Sequence, residues 1–300
     1  MTLQKLTSYW VAIEEIAMQK IITCIDGSAL ASDVCDAGIW AAQRLTLPIV
    51  FLHAIERQIQ NEVDDLSGAI GLGARSALLE EMAALDEQRS KVALQLGKDM
   101  LEAAVNRAQL QGLAPIEQRQ RHGNFVEALV ELQDDARLMV VGRSGEDHGA
   151  NYKALGSHIE NLIRQVSTPV VIATKGFHAP RNFMLAYDGR ETADKAVERI
   201  IRGGLLTGMD CHVVSVKNSD DDLPDKFYAT VARLTEHGFN VHSAWLEGPI
   251  FSALAEYQQS KAIELLVMGA FGHSKVRQFF LGSNTMKMIE NTHIPLVILR

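Results

Sequence analysis

QKIITCIDGS, residues 19 to 28, and RNFMLAYDGR, residues 181 to 190, decide how this chain is read. Each is an apolar run ending in Asp-Gly, and each leads into a stretch with helical spacing. The likeness continues downstream. Leu47-Pro-Ile-Val-Phe-Leu-His-Ala54 matches Met209-Asp-Cys-His-Val-Val-Ser-Val216, and His122-Gly-Asn-Phe-Val-Glu-Ala-Leu matches Glu247-Gly-Pro-Ile-Phe-Ser-Ala-Leu. Leu138-Met-Val-Val-Gly-Arg-Ser-Gly145 matches Leu265-Leu-Val-Met-Gly-Ala-Phe-Gly272, and Thr168-Pro-Val-Val-Ile-Ala173 matches Ile294-Pro-Leu-Val-Ile-Leu299. A chain that repeats itself over this length is built from two copies of one unit.

Within each copy, strand-sized apolar runs alternate with longer helical stretches, the pattern of βαβ units around a parallel sheet buried on both faces. The expected fold is therefore α/β: two tandem open five-stranded parallel sheets with helices on both faces. The expected units are an extension over 1–17, a first domain over 18–175 and a second over 181–300. Gly176 and Pro180 punctuate the segment between the domains. The first copy carries an insertion at about 57–112, where Leu78, Met82, Leu85, Val92 and Leu96 step by threes and fours with Arg89 in the off-pattern slot. That spacing predicts a long helix with one apolar face, open to two readings: cover for its own sheet, or an oligomer contact.

Composition narrows the class. The 300 residues are 47% apolar with a formal charge of −8, enough for two ordinary cores and unsuited to a broad phosphate-neutralising face. No apolar run approaches the ~18–20 residues of a membrane span. Nucleic acid and membrane are thus not the expected partners. Cys24, Cys35 and Cys211 are far apart and form no CxxC, which fits buried thiols in a reducing compartment. Residues 1–17 lack the basic start and cleavage site of a secretory signal, so the expected location is cytoplasmic. Leu3, Leu6, Trp10, Ile13 and Ile16 give this extension an amphipathic helical pattern, to be read either as a docked helix or as a loose leader before Met18.

Ligands of open α/β sheets bind beyond the carboxyl ends of the strands, where strand order reverses. In the second copy this gathers Asp188, Val216 and the stretch MGAFGHSKVRQFFLGSN, residues 268 to 284. Gly269 and Gly272 let the backbone turn and approach a ligand. Gly282-Ser283 opens a helix whose first N–H groups suit a phosphate. Asp188 can accept from a sugar hydroxyl or an adenine amine, or can cap the next helix.

The motif G-x2-G-x9-G-S after the fourth strand, with a strand-one Asp, resembles the universal stress protein family, and the likeness runs through residues 18–300 as two copies. The resemblance implies a Rossmann-like adenine-nucleotide fold of the tandem type and a stress-response role. It implies ATP as ligand, with or without Mg2+, held by Asp188, Val216, Met268, Gly269, Gly272, Gly282, Ser283 and Asn284. Lys275 and Arg277 add positive charge to that loop. It also implies that Pro169–Ala173 and Pro295–Leu299 correspond to the dimerising edges of single-domain relatives, which here can pair internally or serve a homodimer.

The first copy keeps Asp26, Ala54, Gly142, Gly145, Gly156 and Ser157, but ten residues separate Gly145 from Gly156 where nine separate Gly272 from Gly282. Glu146 and Asp147 also bring like charge to a phosphate. This copy is expected to hold a site that is degenerate, metal-assisted or differently liganded. Gly68-Ala-Ile-Gly-Leu-Gly73 follows no strand and reads as a hinge, Asp220-Asp-Asp222 as a solvated acidic turn, and Glu146-Asp-His148 as too contiguous for one metal ion. No residue stands out as a catalytic base, so three readings stay open: a nucleotide-binding regulator, a slow ATP hydrolase, and a ligand-free interaction scaffold.

Overall fold

A computed structural model of the chain describes residues 19–55, 72–143, 152–217, 223–270 and 283–300. The extension 1–17, Gly68 to Gly71, Glu146 to His148 and Asp220 to Asp222 lie outside the described residues, whereas Gly73 falls in the first turn of a helix. The first copy runs β1 (Lys20–Cys24), α1 (Ala31–Leu45), β2 (Ile49–Ile55), α2 (Leu72–Leu110), β3 (Ile116–His122), α3 (Phe125–Glu131), β4 (Ala136–Gly142), α4 (Tyr152–Gln165) and β5 (Val170–Ala173). The second runs β6 (Asn182–Ala186), α5 (Glu191–Gly203), β7 (Asp210–Val216), α6 (Leu223–Glu236), β8 (Asn240–Leu246), α7 (Ile250–Ser260), β9 (Leu266–Gly269), α8 (Ser283–Asn291) and β10 (Leu296–Leu299).

The strands form one sheet in the order β3-β2-β1-β4-β5-β10-β9-β6-β7-β8. Each set of five is parallel, as expected, and the sets join where β5 and β10 pair antiparallel through Ile172–Leu296, Val171–Val297 and Val170–Ile298. The two edges singled out in the sequence therefore satisfy one another, and their N–H and C=O groups do not face solvent.

Side chains alternate between two apolar layers. Ile21, Phe51, Val171 and Val297 face one, with α1, α5, α6 and the C-terminal part of α2. Ile22, Val50, Leu52, Val170, Ile172, Leu296 and Ile298 face the other, with α3, α4, α7 and α8. Because both faces are covered, neighbouring residues of the inner strands are mostly apolar and show little polar alternation, whereas the edge strands β3 and β8 are richer in polar residues.

Polar bonds reinforce the junction. The Asp33 carboxylate accepts from the backbone N–H of Gly176 (3.0 Å) and Phe177 (2.9 Å), and Trp40 packs against Phe177 at 5.9 Å, which holds residues 176–177 onto α1. Arg300 donates to the carbonyls of Arg164 (2.9 Å) and Val166 (2.7 Å), so a cation sits at the negative end of α4.

Arg181 and Glu264 tie the starts of β6 and β9. The Glu264 carboxylate accepts from the Arg181 N–H at 2.7 Å and from its guanidinium, and this hydrogen bonding and charge hold the Glu264 carboxyl below its usual range. A carboxyl with a depressed folded pKa stabilises above its unfolded pKa and loses that contribution as pH falls through the folded value. Glu264→Gln should lower the thermal midpoint by about 2–4 °C at pH 7, and the difference should shrink as pH falls through the depressed folded pKa of the carboxyl. Thermal unfolding across pH 3–7 measures it.

Candidate functional site

Strand order reverses twice, between β1 and β4 and between β6 and β9, giving two equivalent positions at carboxyl strand ends. At the second, Asp188 follows β6, Val216 ends β7, and Met268 and Gly269 end β9. Ser283 begins α8, and Asn284 is half-buried in its first turn. Gly272, Lys275, Arg277 and Gly282 lie outside the described residues, between the end of β9 and the start of α8.

The Asp188 side chain is 49% exposed. Its Oδ1 accepts from the Arg190 N–H at 3.1 Å, closing a local turn before α5, and Oδ2 lies 3.6 Å from the Arg190 guanidinium. Gly189 sits at φ +72°, where a side chain is strained, and a Cβ there would meet Leu223 at 2.6 Å. The carboxylate thus closes a turn ahead of α5 with one oxygen and pairs with Arg190 through the other. Val216 and Met268 are buried and apolar.

Gly269 has a definite structural duty. A Cβ on it would meet the Thr192 carbonyl oxygen at 2.5 Å and the Ala193 nitrogen at 3.1 Å, so the missing side chain lets the first turn of α5 lie directly on the end of β9.

The first position shares the strand-end frame but not the placing of its Gly-Ser pair relative to the helix start. Asp26 Oδ1 accepts from Ser28 N–H at 3.0 Å, Ala54 is half-buried near the end of β2, and Gly142 ends β4. Gly156 and Ser157 lie within α4, and Gly145 is outside the described residues. The residue after Gly142 differs from its counterpart. Arg143 donates to the Thr292 carbonyl in the other copy, whereas the position after Gly269 holds buried Ala270.

Sequence reasoning passed over two side chains beside the second position. Lys217 directly follows Val216 and pairs with Glu247 at 3.2 Å, and Lys226 donates to the Gly189 carbonyl at 3.3 Å. Both follow from one signal, their place just after or opposite a strand's carboxyl end. A cavity of about 190 Å³ lined by Leu45, Arg137, Ile200, Leu206 and Leu299 among others includes none of these site residues. Among the described residues no group of three or more His, Cys, Asp or Glu side chains could hold a metal ion, and no helix is long and apolar enough to cross a membrane.

A doubly wound α/β sheet with two switch points, each marking a crevice at the carboxyl ends of its strands, defines a class of open-sheet α/β proteins. Comparison makes it specific. Residues 18–174 and 218–300 match the universal stress protein family. The chain is 30% identical over 287 residues to the universal stress protein Slr1230 of Synechocystis sp., covering 94% of this chain and 100% of that one. A universal stress protein from Archaeoglobus fulgidus superposes with a TM-score of 0.63 at 19% identity, covering 94% of this chain and 98% of the other. A second structure, from Pseudomonas aeruginosa, gives 0.61 at 14% identity, with 95% and 94% covered. The chain belongs to the universal stress protein family.

The Thr192 contact makes a specific demand on Gly269. Gly269→Ala should cost about 1–3 kcal/mol of stability, because the added methyl meets backbone that cannot rotate away. Urea unfolding would show this as a lower midpoint with an unchanged slope.

Proposed function

We propose that this chain is a cytoplasmic stress-response regulator that binds an adenine nucleotide, ATP foremost, at the strand ends of its second domain, with 18–175 and 181–300 as its two units. The observation that carries the reading is the alignment of motif and topology. The stretch G-x2-G-x9-G-S begins at the last residue of β9, beside the switch point, and its Ser283 is the first residue of α8.

The described residues suit such a ligand. Val216 and Met268 are apolar and buried, compatible with the faces of a purine, and the exposed Asp188 carboxylate can accept from an amine or ribose hydroxyl. The first turn of α8, with Asn284 half-buried in it, offers N–H donors to a phosphate. Lys275 and Arg277 bring cations to the phosphate end, with Mg2+ as the natural counter-ion of ATP. The first domain, with Glu146 and Asp147 in the corresponding loop, is the weaker site in this reading.

Protein purified without added nucleotide, denatured and analysed by mass spectrometry should release ATP or a related adenylate. Gly282→Val should abolish that release, Gly156→Val should leave it, and Asp188→Ala should weaken titrated ATP binding about tenfold or more. A protein that emerges empty and takes up no ATP at millimolar concentration refutes the reading.

A further inference from the structure

Helix α2 has two faces. Gly97, Leu101, Ala104 and Ala108 lie on one side and are buried where the helix covers β2 and β3. A Cβ on Gly97 would strike Gln120 and His53, so that residue sets how closely the helix approaches the sheet. Residues 80–96 are different: none is buried. There Met82, Leu85, Arg89, Val92 and Leu96 follow one another at spacings of three, four, three and four, a heptad seam with Met82, Arg89 and Leu96 at a and Leu85 and Val92 at d. At about 100° per residue, this seam points about 120° away from the sheet-facing side. Leu85 is 49% exposed, Val92 67% and Leu96 47%. Between residues 82 and 96 the stripe therefore does not cover the sheet; the part of α2 that does so lies further on, at residues 97–108.

The charges around the seam select its occupant. In a parallel pair, a faces a, so two Arg89 side chains would abut, and Glu81 at g would face Asp86 at e of the other helix. Both contacts repel. In an antiparallel pair centred near residue 87, Met82 packs on Val92 of the second copy and Leu85 on Arg89. Arg89, on the e side of the seam, then reaches the second copy's Asp86. Within its own chain Arg89 already lies 3.9 Å from Asp86, so the two-fold contact builds an alternating ring of four charges. On the opposite flank Glu81 meets the neutral Gln95, and Gln88 meets Gln88.

We propose that two copies of this chain associate through residues 82–96 of α2, packed antiparallel with the Arg89–Asp86 ring at the two-fold axis. The surface is distinct from the β5 and β10 edges, which are spent on each other. The helix is already held to the sheet by its C-terminal turns, so little ordering remains to be done on association.

Sedimentation equilibrium of the full chain at concentrations up to about 100 µM tests this, since that range captures dissociation constants from nanomolar to tens of micromolar. The expected mass is twice the 33.0 kDa of one chain. Leu85→Lys with Val92→Lys should raise the dissociation constant by about a thousandfold or more, with circular dichroism and the thermal midpoint of the sheet preserved. A monomeric native chain, or a dimer that persists in the double variant, overturns the proposal. Asp86→Arg should weaken an antiparallel dimer about tenfold or more by setting like charges together, and adding Arg89→Asp should restore it. Tightening by Asp86→Arg alone would indicate a parallel pair and overturn the register.

Discussion

The antiparallel pairing of β5 with β10 is the contact on which the rest of the molecule depends. It involves three residue pairs of short strands, yet it turns two sheets, each with one bare edge, into a single ten-stranded sheet. Backbone groups at a sheet edge must find partners or water. Here the two copies supply each other, and the layers above and below then run continuously across the seam. The Arg300 cap on the end of α4 follows from that juxtaposition.

Much of this architecture is legible in the sequence because a doubly covered parallel sheet imposes a simple demand: its inner strands must be mostly apolar, while edge strands such as β3 need not be. Runs such as Leu47–Leu52 and Leu138–Val141 meet it, and the repeated Asp-Gly marks the exits of β1 and β6. The stripe on α2 was readable as a stripe but not as to what it faces. Apolar spacing records that one side of a helix avoids water, and the same pattern serves a sheet or a second chain. Only the burial change at Gly97, where Gln120 and His53 close in, separates the two uses along one helix.

The candidate site was legible in its residue types more than in their duties. Gly269 suggested freedom for the chain to turn, and the structure gives it a narrower role, clearance for the Thr192 carbonyl. Asp188 was open between a helix-capping role and a ligand, and one carboxylate oxygen closes the turn to Arg190 while the other lies beside the Arg190 guanidinium. A sequence displays neither a backbone oxygen brought in from the next helix nor the division of labour between two oxygens of one carboxylate. Lys217 and Lys226 were missed for a related reason: they matter by their position at strand ends, and nothing in their local context distinguishes them from other surface lysines.

Arg143 carries a consequence for how the two copies are held in register. Its guanidinium reaches the Thr292 carbonyl just ahead of β10, while Thr174 Oγ1 donates to the neighbouring His293 carbonyl at 3.0 Å. Because β5 and β10 run antiparallel, the carboxyl ends of one copy's strands abut the amino ends of the other's. The exit of β4 is thus fastened to the turn that feeds β10, at the end of the sheet opposite the second switch point. The two carboxyl-end crevices accordingly open at opposite ends of the shared sheet.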